Sequence, residues 1–179
     1  MQTSQSRHQW FALRVKSRHE KAVALAARGK GFEEFLPLYR WRQAWSDRSK
    51  WVEMPLFPGY VFCRLDPSCR LPLLTIPGVL NFVSLGKTPI PIDDAEIASV
   101  QAAVQSELVT EPCSFVDNGQ RVRVERGPLA GTEGILIEAA ERQQVVVNIT
   151  ILRRSIAVKV ESHWVEPLAL HMTARNQPA

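Results

Sequence analysis

Phe57-Pro58-Gly59-Tyr60-Val61-Phe62-Cys63-Arg64-Leu65 is the stretch on which the fold of this chain turns. Pro58 presets its own backbone angle and Gly59 accepts a positive one, so the pair reads as a tight turn. The residues after it alternate as a strand does. Val61, Cys63 and Leu65 share one face and suit a core beneath helices. Tyr60 and Phe62 share the other. In a sheet with helices on one side only, that second face looks outward, and two adjacent exposed aromatics form a docking surface. The competing reading is that a neighbouring element covers them, such as the tryptophan-bearing hairpin just upstream.

Working outward toward the N-terminus, Trp10-Phe11-Ala12-Leu13-Arg14-Val15 reads as a strand with Phe11, Leu13 and Val15 on one face. Ser17-Arg18-His19-Glu20 has the spacing of a capping box, and the helix after it carries Ala22, Leu25 and Ala26 on one stripe before Gly29 or Gly31 ends it. Phe32 to Leu36 is a second strand, closed by Pro37. Residues 39–55 read as a long hairpin around Ser46-Asp47-Arg48-Ser49, mostly basic and with three tryptophans interleaved. Toward the C-terminus, a short apolar segment (Leu71 to Thr75) leads to an Ile76-Pro77-Gly78-Val79 turn and a strand at Asn81 to Leu85. Asp93 then caps a helix with Ile97, Val100 and Val104 along one side. Residues 9–106 therefore read as an α+β domain, an antiparallel sheet with helices mainly on one face.

Residues 107–117 contain Pro112 and little periodicity, and read as a linker. In 118–168 short β-branched runs are separated by glycine or polar turns: Val122 to Val124, Ile135 to Ile137, Val145 to Ile149, Ile156 to Val160, and Trp164-Val165. Five strands at this spacing predict a small all-β barrel. In Gly119 to Ile137, Gly127-Pro128 opens a turn, and Gly131 and Gly134 take positive φ or sit against another backbone. Residues 169–179 read as a frayed tail.

The 179 residues carry a formal charge of +4, unevenly placed. Residues 1–53 hold eleven Lys/Arg and five Asp/Glu, a net +6, whereas 54–106 and 107–179 are each net −1. A basic first third points to nucleic acid, or to an ordinary solvated face. No apolar run approaches the roughly 18 residues a membrane span needs, and the polar N-terminus lacks the apolar core of a secretory signal. Three cysteines (Cys63, Cys69, Cys113) without CxxC spacing argue against a disulfide framework or a zinc site, so the expectation is a cytoplasmic protein with reduced thiols, no cofactor and no metal. His8, His19, His163 and His171 form no catalytic arrangement with motif support, and no phosphate-cradling glycine loop occurs. The chain is expected not to be an enzyme, the remaining enzymatic reading being one that uses Cys63 or Cys69.

The Phe57 to Val61 segment and the Gly119 to Ile137 stretch, in this order, resemble the N-terminal domain and the KOW motif of the NusG family of transcription elongation factors. Trp10-Phe11-Ala12-Leu13, Ile76-Pro77-Gly78-Val79 and Pro89-Ile90-Pro91-Ile92 fit the same pattern, so the resemblance spans about residues 9–168. Pro55-Leu56-Phe57-Pro58 and Ser46-Asp47-Arg48 look more like the specialised paralogues of the RfaH, LoaP and UpxY type than the housekeeping factor. The resemblance implies an SH3-like KOW barrel after the α+β domain. The strong β propensity of Val145 to Ile151 favours that barrel over the helical form some relatives adopt. It also implies a monomeric transcription elongation and antitermination factor. Phe57, Tyr60 and Phe62, extended or supported by Trp10 and Phe82, would dock on the β′ clamp helices of RNA polymerase. Lys16, Arg18 and Lys21 would meet the non-template DNA strand. Pro128, Leu129, Leu152, Arg153 and Arg154 would offer the barrel to a ribosomal protein or other factor. Leu129 stands where the housekeeping factor often has an aromatic, which counts against Rho as that factor. The alternative function is an RNA-binding or ribosome-associated KOW protein, for which Tyr60 and Phe62 would stack on bases.

Overall fold

A computed structural model describes residues 8–44, 49–116, 118–139 and 142–168. The first domain runs β1 (Gln9–Val15), α1 (Glu20–Gly29), β2 (Glu33–Phe35), β3 (Leu38–Ala44), β4 (Ser49–Pro55), β5 (Tyr60–Leu65), α2 (Leu71–Leu74), β6 (Val79–Phe82), β7 (Ser84–Leu85), β8 (Thr88–Pro89), β9 (Pro91–Ile92) and α3 (Asp94–Gln105). The second is almost all strand: β10 (Thr110–Ser114), β11 (Gln120–Val124), β12 (Glu133–Ala139), β13 (Arg142–Ile149), β14 (Arg154–Lys159) and β15 (Val165–Pro167). The expected turn at Ser46-Asp47-Arg48 and the expected tail at 169–179 lie outside the described residues.

The principal sheet has the order β2-β5-β1-β6, with β9 also paired to β1. Its strands pair antiparallel throughout. Phe11 lies opposite Cys63 and Leu13 opposite Val61. These side chains face α1 and α2, packing with Val23, Ala24, Ala27, Leu73 and Ile76. Trp10, Ala12 and Phe62 face the other way, and there Ile97, Val100 and Ala103 of α3 cover them. The third helix thus occupies the face that strand alternation by itself leaves open. Asp93 caps it as expected, its carboxylate accepting from the Ala95 N–H at 2.9 Å.

The start of α1 differs from the capping-box expectation. His19 stands at the cap position with no side-chain hydrogen bond to the helix, and Arg18 takes a left-handed φ of 65°. Glu20 is buried, and its carboxylate accepts from the Gly59 N–H at 2.9 Å. The buried stripe of α1 is Val23, Ala24 and Ala27, and Leu25 is 69% exposed. Both stripes have helical spacing, so only contact with the sheet selects between them.

The hairpin of β3 and β4 is a separate two-stranded ribbon. Downstream, the stretch expected as a linker contains β10, which pairs with β14 and forms the edge of a sheet ordered β10-β14-β13-β12-β11-β15. The five expected barrel strands are all present, wrapped on Val122, Val124, Val145, Val147, Ile156 and Val158. Gly134 permits the close pairing of β12 with β13. A Cβ there would fall 2.5 Å from Val145 Cγ1 and 2.6 Å from the Val146 carbonyl oxygen.

The two domains share one continuous set of buried apolar side chains. It runs from Trp10, Phe57 and Phe62 through Ile97 and Val100 of α3 to Val145, Val147 and Ile149 of the barrel. At its margin the Glu96 carboxylate accepts from the Thr150 hydroxyl at 2.5 Å and from its N–H at 3.2 Å. Among the described residues no helix is long and apolar enough to cross a membrane.

Two measurements check this packing. Gly134→Ala should lower stability by about 1–3 kcal/mol, the cost of overpacking, as a reduced midpoint in urea unfolding. Iodoacetamide should modify exposed Cys69 and spare buried Cys63 until the chain unfolds. Burial first, and Glu34 second, push the Cys63 thiol up to about 12. A pKa raised on folding means that the native state holds the proton more tightly. That contribution is complete below about pH 8.5 and is lost as pH climbs toward 12, so Cys63 should stay unreactive at pH 9.

Candidate functional site

Residues 55–65 are set by the residues on either side of them. Pro58 and Gly59 form a turn in which Gly59 has φ +83° and the Tyr60 N–H donates to the Phe57 carbonyl at 3.1 Å. This is the geometry a Pro-Gly pair favours, because only glycine enters the left-handed region without strain. The turn is then held from three directions. The Gly59 carbonyl accepts from the Val15 N–H at 2.8 Å, the Gly59 N–H donates to Glu20, and the Leu56 N–H donates to the Pro37 carbonyl at 2.9 Å. The carboxylate of Glu20 therefore does its work on this turn rather than on its own helix.

From the turn a row of rings extends across the sheet. Phe57 meets Phe62 edge-on at 5.5 Å, Phe62 stacks on Phe35 at 6.2 Å, and Phe35 meets Trp10 edge-on at 6.5 Å. Each such contact adds about 0.5–1.5 kcal/mol beyond its buried area. Phe57, Phe62 and Trp10 are buried on the α3 side. This corrects the expectation that Phe57 and Phe62 point outward: both lie in the buried cluster that holds Ile97, Val100 and Ala103 of α3, with Tyr39 at the base of the upstream hairpin packed against it. Phe82 is buried on the opposite face, edge-on to Phe11 at 6.2 Å. Tyr60 is half-buried against the margin of the aromatic row, with Arg14 opposite it on β1. Of the five aromatic residues singled out, Tyr60 alone keeps substantial exposure. Phe35, a partner in the row, escapes sequence reasoning because nothing in its local pattern marks the pairing of β2 with β5.

The cations Lys16, Arg18 and Lys21 are all exposed. Lys21 reaches the hairpin, its Nζ 3.2 Å from Glu53 of β4. On the barrel, Pro128, Arg153 and Arg154 are exposed, whereas Leu129 is 1% exposed and Leu152 is buried. Both leucines belong to the barrel core, which corrects their expected place on a partner surface. Arg153 is left-handed (φ 48°) and lays its guanidinium 4.7 Å from the ring centroid of Phe115. Cys63 and Cys113 do not resemble an activated nucleophile. Cys63 is buried and its pKa raised, and Cys113 is raised by burial, with Glu111 adding to it and the Ser155 hydrogen bond opposing.

Comparison with known proteins agrees with this architecture. The family model described as "Transcription termination factor nusG" matches residues 8–101. The transcription termination/antitermination protein NusG of Borreliella burgdorferi is 26% identical over 181 residues, covering 89% of this chain and 98% of its own. That of Campylobacter jejuni is 27% identical over 175 residues, covering 91% and 99%. A solved structure, "Domain interaction in Thermotoga maritima NusG", aligns over 90% of this chain and 98% of its own with a TM-score of 0.54 at 24% identity, a likeness of fold. With residues 8–101, more than half of the chain, matched by the family model and relatives aligned over about nine-tenths of its length, the chain belongs to the NusG family of transcription termination and antitermination proteins.

Proposed function

We propose that this protein is a non-catalytic elongation or antitermination factor that binds RNA polymerase through its first domain. Tyr60 is the contact that engages the clamp helices of the β′ subunit. Bridging the cleft from there holds the clamp closed and opposes pausing or termination. The observation that carries this reading is the setting of Tyr60: a reachable ring at the margin of a rigid aromatic row, on a turn held from three directions. A docking residue needs such preorganisation, because ordering a loose side chain on binding costs about 0.5–1.5 kcal/mol.

Phe57, Phe62 and Trp10 then support the surface from behind, and Phe82 supports the sheet from its other face. Lys16, Arg18 and Lys21 are exposed cations suited to the phosphates of the non-template DNA strand. On the barrel, Pro128, Arg153 and Arg154 present the surface for a ribosomal protein or another factor, with Leu129 and Leu152 holding its turns from within. The protein works as a monomer in the cytoplasm, where the polymerase is.

Retention on immobilised core RNA polymerase tests the reading. Tyr60→Ala should lower affinity about tenfold, as removal of a central aromatic ring does. Phe62→Ala should instead lose about 3–5 kcal/mol of stability in urea unfolding, because it empties a packed site. Retention of Tyr60→Ala equal to wild type would refute the docking role.

A further inference from the structure

Pro58 and Gly59 hold the two central positions of the turn that leads into Tyr60, and its closing hydrogen bond runs from the Tyr60 N–H to the Phe57 carbonyl at 3.1 Å. A turn of this length has two common forms, which differ by a flip of the central peptide, here the one joining Pro58 to Gly59. Proline at the first central position suits both forms. The φ of +83° at Gly59 marks the form with a left-handed second residue. Glycine alone does not impose that choice, since it enters either region at little cost. The Val15 N–H donates to the Gly59 carbonyl at 2.8 Å and so holds the peptide after the central one. Glu20 acts on the central peptide itself.

Glu20 is 5% exposed, and its Oε1 accepts from the Gly59 N–H at 2.9 Å in a part-buried bond. Flipping the central peptide would swing that N–H away and leave the carboxylate without it. The same flip would turn the Pro58 carbonyl toward Glu20, replacing an attraction with a repulsion. Both effects are stronger out of bulk water, where charges are less screened. The carboxylate therefore selects the turn form, and Tyr60 is the next residue along. Space does not make the choice: a Cβ on Gly59 would have the Val15 carbonyl oxygen as its nearest neighbour, at an ordinary 3.8 Å. A substitution at Gly59 thus reports on backbone conformation rather than on crowding.

We propose that Glu20 is a positioning residue for polymerase binding: it locks the Pro58–Gly59 peptide in one orientation and thereby sets the direction in which the Tyr60 ring is offered. The inference rests on the docking role given to Tyr60 above, and it can fail while that role stands.

The test combines two measurements on the full chain: hydrogen exchange of the Gly59 amide by NMR in the free protein, and affinity for core RNA polymerase under conditions where urea unfolding shows each variant folded. Glu20→Met keeps the length of the side chain but removes the acceptor. It should speed exchange of the Gly59 amide about tenfold and weaken polymerase binding about fivefold, the effect of losing a preordered contact. Glu20→Gln keeps an acceptor oxygen and should stay within about twofold of wild type in affinity. The decisive variant is Glu20→Met combined with Tyr60→Ala, which should bind no more weakly than Tyr60→Ala alone, because Glu20 acts only through that ring. A second pair reaches the same turn without touching Glu20. Gly59→Ala disfavours the left-handed form and should weaken binding about fivefold, and Gly59→Asn, which tolerates it, should recover part of the loss. Wild-type affinity of Glu20→Met or Gly59→Ala beside a weakened Tyr60→Ala would overturn this inference alone. So would losses that multiply in the double variant, since Glu20 would then act by another route. Wild-type affinity of Tyr60→Ala would instead remove the docking role, and this inference with it.

Discussion

Burial of both faces of β1 and β5 is the constraint on which the rest of this molecule depends. Phe11, Leu13, Val61 and Cys63 fill one side against α1 and α2. Trp10, Ala12 and Phe62 fill the other against α3. Ala12 matters here through its small size: it sits opposite Phe62 and leaves room for α3 to approach the sheet. Once α3 is seated, Phe57 and Phe62 become the inner part of an aromatic row and Tyr60 its rim. Glu20 and Gly59 then fix where that rim stands, by a hydrogen bond joining elements 39 residues apart.

The same helix links the two domains. One side of α3 closes the first domain, and its apolar residues continue into the barrel core, with Glu96 and Thr150 aligned at the edge. The polar contact adds little net energy beyond the apolar burial, but it is directional and so selects one orientation of the barrel on the helix. β10 contributes too. By pairing with β14 it converts the segment between the domains into an edge strand, which shortens the free chain that could let the barrel move.

The β3–β4 hairpin follows a different logic. It belongs to neither packed sheet and is tied down by its base residues and by the Lys21–Glu53 pair. An exposed ion pair of this kind is worth at most about 1 kcal/mol. It serves to orient rather than to stabilise. Trp41 and Trp51 are each more than half exposed, so they bring the fold less burial energy than a core tryptophan does.

Much of this organisation is written in local sequence. The Pro58-Gly59 turn, the alternation of β1 and β5, the Asp93 cap of α3 and the five barrel strands each follow from residues within a few positions of one another, since turn angles, caps and strand periods are local properties. The family resemblance rests on such motifs as well. What local sequence leaves open is which surfaces meet. The stripe of α1 at Ala22, Leu25 and Ala26 fits a helix face as well as the buried one at Val23, Ala24 and Ala27 does, and only the sheet decides between them. Periodicity shows that α3 has an apolar side, but not which face of the sheet it covers. Tyr60 and Phe62 alternate identically along β5, yet one ends at the rim and the other in the core, because burial is decided by contacts between residues far apart in the chain. Tertiary packing alone settled that Leu129 and Leu152 turn inward, that β10 is a strand, and that Glu20 serves a distant turn instead of its own helix.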